Sequence, residues 1–429
     1  VQPNDTIYSI ANKLGVPVNK LIMDNDIVKP NDLVPGQALV IAYPTQSYTV
    51  QEGDTLKSIA TTYNVDPMQL LRNNPFLSSG KLIPGVELTI SYKTSGKSTT
   101  HGFAYPYINK ETLKKTLPNL TYITIYNYRT ISKGEIISYS DDSESIQLAK
   151  DYGTIPLIML TTLSAQGEPD VETAYSIILN DGYQETFIAA ALNIMKTKGY
   201  LGANIIFNYM NPSNQDLYAK FITKLSSRFK NEGFLLFVTI NPNIKYTSNA
   251  VIFEKIDYTG IGDVVNDISF LQFIWGTNYG PPLPVNSIDT LKTFIDYVIT
   301  TIPSEKITVG NSLVSYDWKL PYIPGKSYAN SLSVNSSLSL AHDMNAVIEF
   351  DNVSQSPFFT YLVDNIEQKD EHIVWSIDAR SVLALVELIT EYKLKGVSFW
   401  NVMIYLSQVW LVINTHYEVE KLLPNTLFQ

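Results

Sequence analysis

The sequence predicts an α/β architecture: a closed TIM-type (β/α)8 barrel carrying a small α+β insertion, preceded by two small βααβ modules. Three observations carry this. From His101 onward, short apolar runs alternate with helical segments, the rhythm of a parallel sheet wrapped by helices, and eight such runs are enough to close a barrel. Residues 1–43 and 48–92 repeat one another at a constant offset. A length of 429 residues also exceeds one small domain and suits a barrel-sized unit with something attached.

In the repeat, Asp5-Thr6 matches Asp54-Thr55, Ile10 matches Ile59, Val16 matches Val65, Leu21 matches Leu70, Asn25 matches Asn74 and Pro35-Gly36 matches Pro84-Gly85. In the second copy Tyr48-Thr49-Val50 reads as a strand, and Gly53-Asp54-Thr55 reads as a turn whose Asp or Thr caps the next helix. Two short helices follow, and Pro84-Gly85 leads into an alternating strand over 86–90. The stretch 93–100 is polar, lacks an apolar rhythm and reads as a linker.

Residues 101–429 form the expected barrel, with strands over 102–107, 122–126, 156–160, 203–207, 234–240, 268–273, 306–310 and 396–400. Between the seventh and eighth lies an insertion, 320–377, with strands over 346–350, 358–362 and 372–377. Such insertions belong on the functional rim, because barrel chemistry lies at the C-terminal strand ends.

Composition excludes several classes. Asp and Glu outnumber Lys and Arg by 41 to 31, which opposes broad attraction to nucleic acid or anionic membrane. No cysteine is present, so neither a disulfide framework nor a Cys-type zinc site is possible. The four histidines, His101, His342, His372 and His416, are scattered; no metal and no cofactor are expected. No apolar run of about 18 residues, long enough to span a bilayer, occurs. The chain opens at Val1 without a leader-like segment, so an export signal is expected to be either removed or absent.

The Gly-Asp-Thr turn, the Ser58-Ile59-Ala60 and Ser9-Ile10-Ala11 helices, the Asn73-Asn74 pair and the Pro-Gly before the last strand make each repeat resemble the LysM module. The first copy departs slightly, with Asn4 for the turn glycine and Asp24-Asn25 for the Asn pair. The resemblance implies binding of N-acetylglucosamine-containing glycans in a shallow groove. Its residues would be Asp54, Thr55, Leu82, Ile83 and Pro84 in the second copy and Asp5, Thr6, Leu33, Val34 and Pro35 in the first. The same residues have a plainer reading as caps and turns.

The barrel resembles glycoside hydrolase family 18, and within it the LysM-bearing N-acetylglucosaminidases that act on spore cortex peptidoglycan. The segments carrying this are Lys198-Gly199-Tyr200 with Gly202-Ala203-Asn204, Trp275-Gly276 with Gly280-Pro281-Pro282, Tyr316-Asp317-Trp318, Trp375 with Asp378-Ala379-Arg380-Ser381, and Gly396-Val397-Ser398-Phe399-Trp400. The resemblance implies substrate-assisted hydrolysis, an exception to the two-carboxylate scheme. In that family a Glu at the fourth strand end is the acid, and an Asp two residues earlier orients the substrate acetamido group. The family's Asp-x-x-Asp-x-Asp-x-Glu falls here on Leu201, Asn204, Ile206 and Asn208.

A carboxamide at 208 has no proton to give, so it cannot serve as general acid. The family's sixth-strand Tyr and carboxylate fall on Phe273 and Ile274. Two strands have thus lost their reactive groups, and no catalytic residue is assigned. What remains is an aromatic and amide-lined cleft, with Trp400, Trp275, Tyr316, Asp317, Asn208 and Tyr105 as candidate glycan contacts. The expectation is a pseudo-glycosidase that binds peptidoglycan or chitin-like glycans, placed in a spore, at the cell envelope or secreted. The alternatives are a weak N-acetylglucosaminidase acting on cortex fragments, with Asp317 as sole acid, and a protein-docking scaffold with a vestigial cleft.

Overall fold

The computed structural model describes residues 1–427 apart from 80, 165–166, 169, 208–209, 243, 247–250, 272–279 and 365–368. The barrel strands are β1 (Lys97–Ala104), β2 (Tyr122–Thr130), β3 (Ile155–Thr161), β4 (Gly202–Ile206), β5 (Leu235–Ile240), β6 (Asp267–Leu271), β7 (Ile307–Ser312) and β8 (Gly396–Trp400). Each pairs in parallel with its neighbours, and β1 pairs with both β2 and β8, which closes the ring. Each of the eight expected runs overlaps one of these strands, although 105–107 lie beyond the end of β1 and 272–273 lie outside the described residues.

β1 begins earlier than expected, at Lys97, so residues 97–100 of the stretch read as linker are part of the barrel wall. Their polarity misled because Ser98, Thr99 and Thr100 are buried with their hydroxyls paired inside. Thr121 N donates to Thr100 Oγ1 at 3.1 Å and Thr99 Oγ1 donates to the Lys395 carbonyl at 3.3 Å. Thr100 is fully buried, as a β-branched residue in a strand can be once its hydroxyl is paired.

The barrel interior is layered. Tyr122, Ile155, Leu157 and Phe237 fill the N-terminal end. Above them runs a polar layer in which His101 Nε2 meets Thr124 Oγ1 at 2.7 Å. Thr239 Oγ1 donates to Asn204 Oδ1 at 2.9 Å, and Ser269 and Ser398 hydroxyls meet at 2.9 Å. Phe103, Tyr126, Met159, Ile206, Leu271 and Trp400, with Leu163, close the C-terminal end.

The insertion is a five-stranded sheet, ordered Asn330–Leu332, Ser315–Leu320, Lys369–Trp375, Ser356–Asp364 and Glu349–Asp351, all pairs antiparallel, with a helix over Val334–Asp343. Its first strand starts at Ser315, five residues before the boundary expected from the sequence.

In the second module Gln46–Thr49 pairs antiparallel with Glu87–Ser91 beneath helices Leu56–Tyr63 and Pro67–Asn73. In the first, helices Ile7–Leu14 and Val18–Asp24 are present and residues 38–42 form no ladder. Both modules carry the same asparagine clasp. Asn25 Nδ2 donates to the Leu21 and Val40 carbonyls while its Oδ1 accepts from Val40 N at 2.7 Å. Asn74 makes the same three bonds to Leu70 and Thr89.

The barrel mouth and the module grooves as candidate glycan sites

Ile206 ends β4 with its side chain fully buried against the neighbours that close the barrel. Trp400, at the end of β8, is 1% exposed. Its ring lies 5.5 Å from Phe103, 6.1 Å from Tyr105 and 6.5 Å from Tyr126, centroid to centroid. Its indole is part of the packed layer, and the more accessible aromatic faces belong to tyrosines above it. Tyr105 is partly buried and stacks on the exposed Tyr107 at 5.2 Å, with planes 20° apart. Tyr126 contacts Tyr139 edge-on at 6.5 Å, and Tyr139 is exposed as well. The Tyr105-x-Tyr107 spacing just past a strand was the available signal for this rim; Tyr139, beyond the short strand Ile136–Ser138, carried none.

The other candidates divide. Asn204 is fully buried in the polar layer, its amide shared between Thr124 and Thr239. Leu201 precedes β4 and packs with Leu157 and Phe237 at the opposite end of the barrel. Asn208, Phe273, Ile274 and Trp275 lie outside the described residues. Tyr316 and Asp317 sit on the strand Ser315–Leu320 and so belong to the insertion sheet rather than to the end of β7. Asp317 accepts from Tyr361 Oη at 2.8 Å and lies 2.9 Å from His372 Nδ1. Tyr316 is 2% exposed, its ring 5.4 Å from Trp318. Trp318 in turn donates its Nε1 hydrogen to the Gly280 carbonyl.

Two buried titratable groups frame the strands. His101 is held neutral, pushed down to about 3, first by burial and then by the charge of Lys395. Asp142 accepts from the hydroxyls of Tyr128 and Tyr200, both at 2.7 Å, and lies 3.1 Å from Lys198 Nζ. Burial alone would raise its pKa, but these hydrogen bonds, with one from Asn127, outweigh it and hold the carboxyl below its usual range. Both serve structure: one sits inside the barrel wall and the other behind it.

In the modules, Thr6 and Thr55 cap their helices, each Oγ1 accepting from Ser9 N or Ser58 N at 3.0 Å. Each serine hydroxyl in turn accepts from its threonine N–H, a capping box in both copies. Asp54 accepts from Tyr48 Oη and Gln51 N, and Asp5 from Gln2 N. The opposite groove wall differs between copies. Leu82 is half-buried, while Ile83 and Pro84 are exposed; in the first copy Leu33 and Pro35 are half-buried and Val34 is buried.

A closed parallel (β/α)8 barrel thus carries a rim insertion and is joined to two short helix-pair modules. Residues 89–403 match glycosyl hydrolases family 18, and residues 1–42 and 48–91 match the LysM domain. The chain belongs to glycosyl hydrolases family 18. It is 33% identical over 431 residues to the cortical fragment-lytic enzyme of Bacillus subtilis (strain 168), and 32% identical over 430 residues to that of Bacillus anthracis; each alignment covers 98% of both chains. Among solved structures it is similar to the spore cortex-lytic enzyme SleL of Bacillus megaterium QM B1551, with TM-score 0.78, 29% identity and 98% of both chains covered. Among the described residues no helix is long and apolar enough to cross a membrane.

Proposed function

We propose that this protein is a peptidoglycan-binding pseudo-glycosidase of the spore or cell envelope, one that holds N-acetylglucosamine-containing glycan without cleaving it. The observation that carries this reading is Ile206: where the family pattern has the acetamido-orienting Asp, an isoleucine is fully buried in the apolar layer with Trp400 and Leu271. An apolar side chain there cannot stabilise the developing positive charge, and an amide at 208 cannot protonate the leaving oxygen. The names of the similar enzymes, cortical fragment-lytic and spore cortex-lytic, support the cortex as the place where its glycan is met.

The test incubates the full chain with N-acetylglucosamine oligomers and cortex fragments and follows products by mass spectrometry, alongside co-sedimentation with insoluble peptidoglycan. Sedimentation without products is expected. Products that vanish in Asp317→Asn would establish an enzyme instead. Neither products nor sedimentation would favour a docking scaffold.

A further inference from the structure

The two modules share sequence and turn geometry, yet the barrel treats their grooves oppositely. Gly36 and Gly85 are equivalent positions after the Pro-Gly turn, with φ of +86° and +87°. A Cβ on Gly85 would meet nothing within 4 Å, whereas one on Gly36 would stand 1.8 Å from the Ile348 carbonyl oxygen. Ile83 is 62% exposed, and its equivalent, Val34, is 2% exposed and completes an apolar cluster with Ala341, Ala346 and Ile348 of the insertion. Two backbone contacts fix the junction: Ile348 N donates to the Pro35 carbonyl at 2.9 Å, and Arg380 Nη2 donates to the Gly36 carbonyl at 3.2 Å. Arg380 is itself held by Asp378, and its guanidinium lies 4.1 Å from the Phe350 ring centroid.

The second module docks with another face. Its helix Pro67–Asn73 and the short helical turn Pro75–Ser79 lie on the barrel helices Lys110–Thr116 and Ser407–His416, where Asn414 Nδ2 reaches the Arg72 carbonyl. Thr55, Ile83, Pro84 and Gly85 stay exposed.

We propose that the first module is an intramolecular dock: its groove wall, Leu33 to Gly36, binds the barrel insertion in place of glycan, and the second module's groove is the one that captures N-acetylglucosamine chains. This rests on the glycan-binding reading above and narrows it to one groove. Two LysM copies then supply a single module's affinity, without the gain that paired engagement gives.

The experiment uses the full chain with an N-acetylglucosamine tetramer, measured by calorimetry and amide hydrogen exchange. Ile83→Asp and Ile83→Ala, at an exposed position, are expected to keep the wild-type melting temperature and to weaken tetramer binding, the Asp variant by about tenfold. The Ile348 amide is expected to be protected and to stay so at saturating tetramer. Wild-type binding in both variants, or loss of Ile348 protection on adding tetramer, overturns the proposal while leaving glycan binding intact. A wild-type chain that binds neither tetramer nor insoluble peptidoglycan overturns the broader reading as well.

Discussion

Trp400 illustrates how far a residue's type can mislead about its exposure. A tryptophan at the end of a barrel strand reads as a sugar platform, yet here its ring is sealed by Phe103, Tyr105 and Tyr126. Trp400→Ala is therefore expected to destabilise by about 3–5 kcal/mol, as for other buried aromatic truncations, measured by urea denaturation. Tyr107→Ala should by contrast leave stability unchanged in the same denaturation series, because Tyr107 is exposed. His101 gives a pH signature. The unfolded chain takes up a proton near 6.5, but the folded one does not until about 3, so between those values the unfolded state binds more protons and stability falls as pH falls. The loss from this group is roughly a kcal/mol per pH unit, and His101→Gln should flatten it in a series of denaturation midpoints. At this scale the caps were legible, since Thr6 and Thr55 act within three residues of themselves. Burial of Trp400 depends on three other strands and loops, which no local pattern reports.

At the scale of elements, the repeat could be read because each copy is built from near-neighbour bonds. The Asn25 and Asn74 clasps tie a helix end to the last segment of the same module. Asn74→Ala leaves Thr89 N and buried carbonyls without their partner, an expected loss of about 1–3 kcal/mol on chemical denaturation. The insertion's edge was misplaced for the opposite reason. Ser315–Leu320 is separated in sequence by roughly fifty residues from one of its two partner strands, Lys369–Trp375, so Tyr316 and Asp317 read as residues of the barrel end. β4 yields a prediction about restoring chemistry. The pair Ile206→Asp with Asn208→Glu places a carboxylate in a fully buried apolar layer, so its melting temperature should fall, and it should stay inactive on cortex fragments unless the layer also opens.

Across the whole molecule, the order of domains was legible and their attachment was not. The polar stretch 93–100 reads as a linker. Instead β1 takes up residues 97–100, and Val50, Leu56, Ile59, Met68 and Leu88 of the second module lie in the same apolar cluster as the barrel helices. A polar, small-residue stretch resembles a flexible spacer whether its hydroxyls face water or buried carbonyls, so composition could not separate the two cases. That shared cluster also bears on descent. A module tied to its neighbour by a common interior is expected to be exchanged between genes less readily than one on a free spacer, because a recombination break at residue 95 would strip both halves of apolar cover. Lineages carrying this arrangement are expected to inherit the modules and barrel as one block.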